Sequence, residues 1–169
     1  MPDLVTLGID PGTARCGFGI VAGPHSARAL DSGCITTRSK DPLGTRLATI
    51  RDALAELVER FPVTDIALER LGYARRLTAA AQVAYATGVV HLVAADRGLP
   101  VEEYAPKEIK LAVAGYGAAE KDAVQAMVVR LLRMAAPPSS DHAADALATA
   151  ICHQHSIRAR TLERTLGVR

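Results

Sequence analysis

The chain has 169 residues, 49% of them hydrophobic and 22% charged, with a net charge of +2, the balance of one globular domain with a sizeable core. Cys16, Cys34 and Cys152 lie far apart without Cys-x-x-Cys spacing, which speaks against a disulfide framework or a zinc ribbon and for reduced thiols in a cytoplasmic protein. A net charge this small leaves nucleic-acid binding only to a local basic face; with no basic-then-apolar leader and no unbroken apolar run of ~20 residues, no membrane is expected.

The stretch Leu4 to Thr13 begins as a buried strand rich in branched residues and turns at Pro11-Gly12. Asp10 therefore ends the first strand, either as a turn residue bonding nearby amides or as a carboxylate facing a metal or phosphate. Cys16 to Gly23 and Arg28 to Thr37 read as second and third strands in an antiparallel meander. Leu43 to Phe61 repeats Leu47, Ile50, Leu54, Leu57 and Val58 at helical spacing, with Arg46 and Arg51 among the residues opposite. Asp65 to Glu69 is a fourth strand ending in an acid, and strand-helix-strand is a parallel crossover. If the fourth strand lies beside the first, Glu69 and Asp10 share the carboxyl edge of an open sheet, where sites gather.

Arg70 to Arg76 is a basic loop that includes Tyr73. Thr78 to Asp96 is a helix apolar around much of its circumference, either buried centrally or shared between the sheet and a second subunit. Val101 to Tyr104 is a fifth strand, and a short helix after Ala105-Pro106 bears Lys107 and Lys110. Ala118 to Met134 is helical with Lys121 outside, and Pro137-Pro138 stops it. Ser139 or Ser140 caps a last helix from about Asp141 to Ser156. The expected division is a domain over 1–157 and a frayed, mobile basic tail over 158–169.

The last helix opens Asp141-His142-Ala-Ala-Asp145. His142 and Asp145 lie one turn apart, with small alanines between that let an ion or phosphate approach. Asp141 suits a helix start for dipole reasons alone and points about 100° away from His142. Two strand-end acids beside this helix edge make a hard-ligand site for Mg²⁺ or Mn²⁺. Carboxylates spread this way can hold two ions for in-line attack at phosphate. Cys152, His153 and His155 cluster too, but without the paired spacing a zinc site wants.

The order of these features resembles the RuvC-type Holliday-junction resolvases of the RNase H-like superfamily. The matching stretches are Leu7-Gly-Ile-Asp-Pro-Gly-Thr13, Ile66-Ala-Leu-Glu69, Gly98 to Pro106, Glu108-Ile-Lys110, Gly115-Tyr-Gly117, Glu120-Lys121 and Ala143-Ala-Asp-Ala-Leu-Ala148. The resemblance implies an α/β, RNase H-like fold with a five-stranded mixed sheet flanked by helices. It implies a bacterial, cytoplasmic homodimer that binds four-way junction DNA and makes paired symmetric nicks with divalent metal. A branch-migration motor is the implied partner. Asp10, Glu69 and Asp145 match family metal-binding acids, and Lys110 and Lys121 match basic residues near the scissile phosphate. Arg70, Arg75, Arg76 and Lys107 are further candidates for holding phosphates.

The sequence departs from that family pattern twice. His142 stands where the family commonly has an aspartate; it can ligate metal, which would favour Mn²⁺ over Mg²⁺, or orient and deprotonate the attacking water. Gly72 stands where a wedging phenylalanine is common, leaving Tyr73 to stack on a splayed base or to pack half-buried in its loop. Other readings are an ATP-dependent kinase with the Asp10-Pro-Gly-Thr13 turn, a non-catalytic junction binder, and a nuclease on RNA/DNA hybrids.

Overall fold

The computed structural model describes residues 4–23, 27–70 and 77–166. Five strands form one mixed sheet in the order β3-β2-β1-β4-β5. β1 (Val5–Asp10), β2 (Arg15–Ala22) and β3 (Arg28–Thr36) make the antiparallel meander, while β4 (Asp65–Glu69) and β5 (Val101–Tyr104) run parallel to β1. The expected five-stranded mixed sheet is the one observed.

Period two in the strands decides which helix each residue meets. Leu7, Ile9, Ile20, Ile66 and Leu68 face α1 (Leu43–Arg60) and α2 (Leu77–Asp96), where Ile50, Leu54, Val90 and Val93 complete one core layer. The alternate residues face α3 (Pro106–Ala114), α4 (Lys121–Leu131) and α5 (Asp141–Leu166). Register pairs Gly8 with Ala67 and places Asp10 opposite Gly17. Under the first turns of α5 this second face has little side chain. A Cβ on Gly8 would strike the Ala146 carbonyl, one on Gly17 the His142 carbonyl, and one on Gly19 the Leu147 side chain. The three glycines let α5 lie directly on the backbone of β1 and β2.

Two helices end elsewhere than expected. The last helix does not end near Ser156: it continues to Leu166, so the basic tail is helical that far. No glycine or proline interrupts it, Thr161 and Thr165 bond back to the preceding turn, and Arg160 pairs with Glu102 at 3.2 Å. α2 has no unbroken apolar run of ~20 residues, yet by length and composition it is apolar enough to cross a membrane, with a mean hydropathy of 1.4 over its most apolar stretch. Alanines and valines spread over all sides give that value. One side, with Ala86, Val89, Val90 and Val93, belongs to the core. The helix after Gly115 is also shorter than expected, because residues 118–120 precede its first turn and Arg133, in the left-handed region at φ 51°, ends it.

Candidate active site

β1 and β4 end side by side, which brings Asp10 and Glu69 to one edge of the sheet. The first turns of α5 arrive over the same edge, held down by Gly17 and Gly8. Ser140 caps that helix, its hydroxyl accepting from the Ala143 amide at 3.2 Å. His142 then reaches Asp10, Nδ1 to Oδ2, at 2.7 Å.

Glu69, Asp145, Lys110 and Lys121 line a cavity of about 220 Å³ floored by Pro106, Ile109, Val124 and Ala148. Lys121 lies 3.3 Å from Asp145 and 3.2 Å from Asp141. Asp141 shares the Lys121 ammonium with Asp145 and also accepts from Gln125 at 3.0 Å. Electrostatics mark the centre of the cluster. Burial, then the charges of Asp10 and Asp145, push the Glu69 carboxyl up to about 7, against the pull of Lys121 and Lys110. Burial also raises Asp145, with Lys121 opposing it and Asp10 and Asp141 adding to it. Burial would lower Lys121, but Asp141 and Asp145 outweigh it and hold its ammonium above the ordinary range.

Asp10, Glu69, His142, Asp145, Lys110 and Lys121 are thus gathered at one edge. Lys107 stands beside this group on α3, its stem against Gly117, and Arg70 follows Glu69 directly, 3.9 Å from Glu108. Tyr73, Arg75 and Arg76 lie outside the described residues. Among the described residues no three His, Cys, Asp or Glu side chains converge tightly enough to grip an ion as they stand. The donor chemistry nonetheless fits a hard divalent cation: three carboxylates and an imidazole share an edge where their mutual repulsion already raises Glu69. Cys152, His153 and His155 do not form a zinc site; Cys152 and His153 are buried in the core behind β4, and His155 approaches the Ala112 carbonyl.

Sequence reasoning missed the support behind Asp10. Arg46, expected on the outer side of α1, turns inward to donate to the Thr13 and Thr37 hydroxyls at 2.8 and 3.0 Å. Thr37 donates to the Thr13 carbonyl at 2.5 Å, and Thr13 also bonds Gln82 on α2. The turn that follows Asp10 is therefore tied to β3, α1 and α2 at once. An arginine three residues into a helix is ordinary in a sequence, and only Thr13 in the Pro-Gly-Thr turn hinted at a need for a partner.

Known proteins resemble this chain over most of its length. The family described as crossover junction endodeoxyribonuclease RuvC matches residues 6–153. The relative of that name from Thermomicrobium roseum is 45% identical over 158 residues, 94% of this chain and 97% of the relative. The one from Moorella thermoacetica is 46% identical over 151 residues, 89% of this chain and 90% of the relative. Among solved structures, Thermus thermophilus RuvC in complex with Holliday junction substrate superposes with a TM-score of 0.89 at 36% identity, covering 94% of this chain and 97% of that one. The yeast mitochondrial Holliday junction resolvase, at 13% identity and a TM-score of 0.66 over 95% of this chain and 83% of its own, shares the RNase H-like fold. On this evidence the chain belongs to the RuvC family of crossover junction endodeoxyribonucleases.

Proposed function

We propose that this protein resolves four-way DNA junctions by paired, symmetric hydrolytic nicks in recombination and repair. The observation that carries the reading is a cavity lined by Glu69, Asp145, Lys110 and Lys121 at the carboxyl edge of the sheet, where Asp10 and His142 also meet. Asp10, Glu69, Asp145 and His142 are the residues that would hold divalent metal, two ions per subunit. Bound there, the metal supplies an activated water and charge for the leaving oxygen.

The protein's own groups do the rest. Lys110 and Lys121 meet the phosphate that enters the cavity and offset its charge. Asp141 keeps a second hold on Lys121, so the ammonium stays near the site when Asp145 is otherwise engaged. His142 is a softer donor than the aspartate it replaces, and this favours Mn²⁺ over Mg²⁺. Arg70, Arg75, Arg76 and Lys107 would hold flanking phosphates, and Tyr73 would stack on an opened base.

A homodimer would present two such edges to two equivalent strands. Supporting it, the side of α2 away from the core exposes Leu77, Tyr85 and Leu92 at 90%, 46% and 64%. Gly88 lies on that side with open space where a side chain would be, so a second backbone can come close. The relatives are bacterial, which suits a cytoplasmic enzyme working with a branch-migration motor.

The decisive experiment is cleavage of a freely migrating synthetic junction beside matched duplex and RNA/DNA hybrid, with Mg²⁺ and with Mn²⁺. Paired nicks in the junction alone, faster in Mn²⁺, are expected, and sedimentation should give a dimer. Tight junction binding without nicking in either ion would make the protein a structural binder, and cutting confined to the hybrid would reassign its substrate.

A further inference from the structure

A second polar cluster lies on the same helix as Asp145, buried behind the site and unused by the chemistry above. His153, about two turns beyond Asp145 on α5, is 3% exposed. Its Nδ1 is 2.9 Å from the Tyr104 hydroxyl, and its Nε2 is 3.0 Å from Asp65 Oδ1. Asp65 is itself 4% exposed, and its other oxygen accepts from the Thr64 hydroxyl at 2.6 Å. A carboxylate offers only acceptors, so the His153 nitrogen that faces it carries a proton. That approach is bent, and neither Nε2 nor Oδ1 has an aligned hydrogen bond, so the contact is chiefly electrostatic. In so dry a place an N–H dipole set against a carboxylate at this length counts for much, and loss of either partner leaves the other stranded.

What the cluster joins gives it meaning. Among the described residues β5 is a four-residue edge strand paired with β4. Its last residue, Tyr104, pairs in register with Glu69, and the Arg70 amide donates to the Tyr104 carbonyl at 2.8 Å. Two residues on, α3 begins and carries Lys110 to the cavity. His153 thus holds both ends of the β4–β5 pair, through Asp65 at the start of β4 and Tyr104 at the end of β5. It does so from the helix that carries Asp145.

Resting on the nuclease reading above, we propose that His153 is a positioning residue: it keys α5 to the β4–β5 edge and so sets Glu69 and Lys110 against Asp145. The test uses the full chain with His153→Ala, His153→Gln and Tyr104→Phe. Junction nicking is followed in Mn²⁺ and junction affinity in Ca²⁺. His153→Ala should lower kcat about tenfold or more with affinity for the junction unchanged, since a small misplacement of reacting groups is costly. Glutamine, which can still donate to Asp65 and accept from Tyr104, should restore most of the rate, and Tyr104→Phe should fall between. Amide exchange gives a readout independent of cutting: the Arg70 amide should lose protection in His153→Ala while Leu7 keeps it.

A kcat loss that tracks only the fraction of folded protein, and that glutamine does not restore, would overturn the proposal. So would unchanged protection at Arg70. If the wild-type protein fails to nick junctions, the nuclease reading falls, yet exchange at Arg70 still decides whether His153 fixes this edge.

Discussion

The two faces of the sheet are built on opposite principles. Toward α1 and α2 the strands present Leu7, Ile9, Ile20, Ile66 and Leu68, all buried. Large aliphatic side chains fill that layer, and each contributes about 1.5–3 kcal/mol by leaving water. Toward α5 the strands present Gly8, Gly17, Gly19 and Ala67, and the helix backbone takes up the room. A layer of side chains can repack when one changes. Where α5 meets Gly8 and Gly17, backbone lies against backbone with little that can yield, so the helix is held closely at that height. The first face supplies stability; the second supplies placement, and it is the face on which Asp10, Glu69 and Asp145 stand.

Substitutions that strike only one face would sharpen this contrast. The largest effect belongs to the acids. Asp145→Asn should cut junction nicking by about 10³-fold or more, the scale of losing a preorganised charged group. Its melting temperature should hold or rise, because burial already opposes that charge. Next comes Gly17→Ala, whose new methyl meets the His142 carbonyl. Lifting the start of α5 by a fraction of an ångström to an ångström should lower the rate about 10²-fold, with the fold kept at a cost of about 1–3 kcal/mol. Leu7→Ala should do the reverse: a loss of about 2–5 kcal/mol in denaturant unfolding, with the rate per folded molecule unchanged. Equal effects of the glycine and leucine changes on rate would erase the distinction.

The smallest effect is on pH dependence. Glu69 keeps its proton up to about 7 in the native protein, whereas an unfolded glutamate releases it near 4.5. Between those values the native state binds more protons, so stability falls as pH rises through that window. Asp145 adds to the fall in the same direction. Asp65 acts oppositely: burial alone would raise it, but bonds from His153, Thr6 and Thr64 hold it below its usual range. Its contribution is present above the ordinary aspartate value and is lost only in stronger acid. Melting temperature measured without divalent ions should therefore decline from about pH 5 to 7, and Glu69→Gln should flatten the decline.

Much of this was legible in the chain. Asp10 and Glu69 announce themselves because each ends an apolar run, and His142 and Asp145 because helical spacing puts them on one side. The strands and their order follow from short turns in the first third and helix-length connections after it. What the sequence hid has physical reasons. A glycine in a strand looks like a weakness; that Gly17 is a seat depends on a helix 125 residues later. Arg46 looked like a solvated charge because its partners, Thr13 and Thr37, come from a turn and a strand end whose approach is tertiary. His153 stood out only as one of a loose Cys/His cluster without zinc spacing, since Asp65 and Tyr104 reach it only across the sheet. The helix after Ser156 was cut short because its polar composition resembled a tail, although nothing in it breaks a helix.

The contact between Asp10 and His142 spans 132 residues of sequence. Synthesis runs from the first of these to the last, so β1 and β4 emerge with their acids long before α5 exists to meet them. During that interval the growing chain has half a cutting edge and a glycine-lined trough with no occupant. Contacts this distant in sequence close slowly, and here one of the most distant is also the one that assembles the reactive groups. Laid out in this order, the chain cannot bring His142 and Asp145 to Asp10 and Glu69 until α5 has been made.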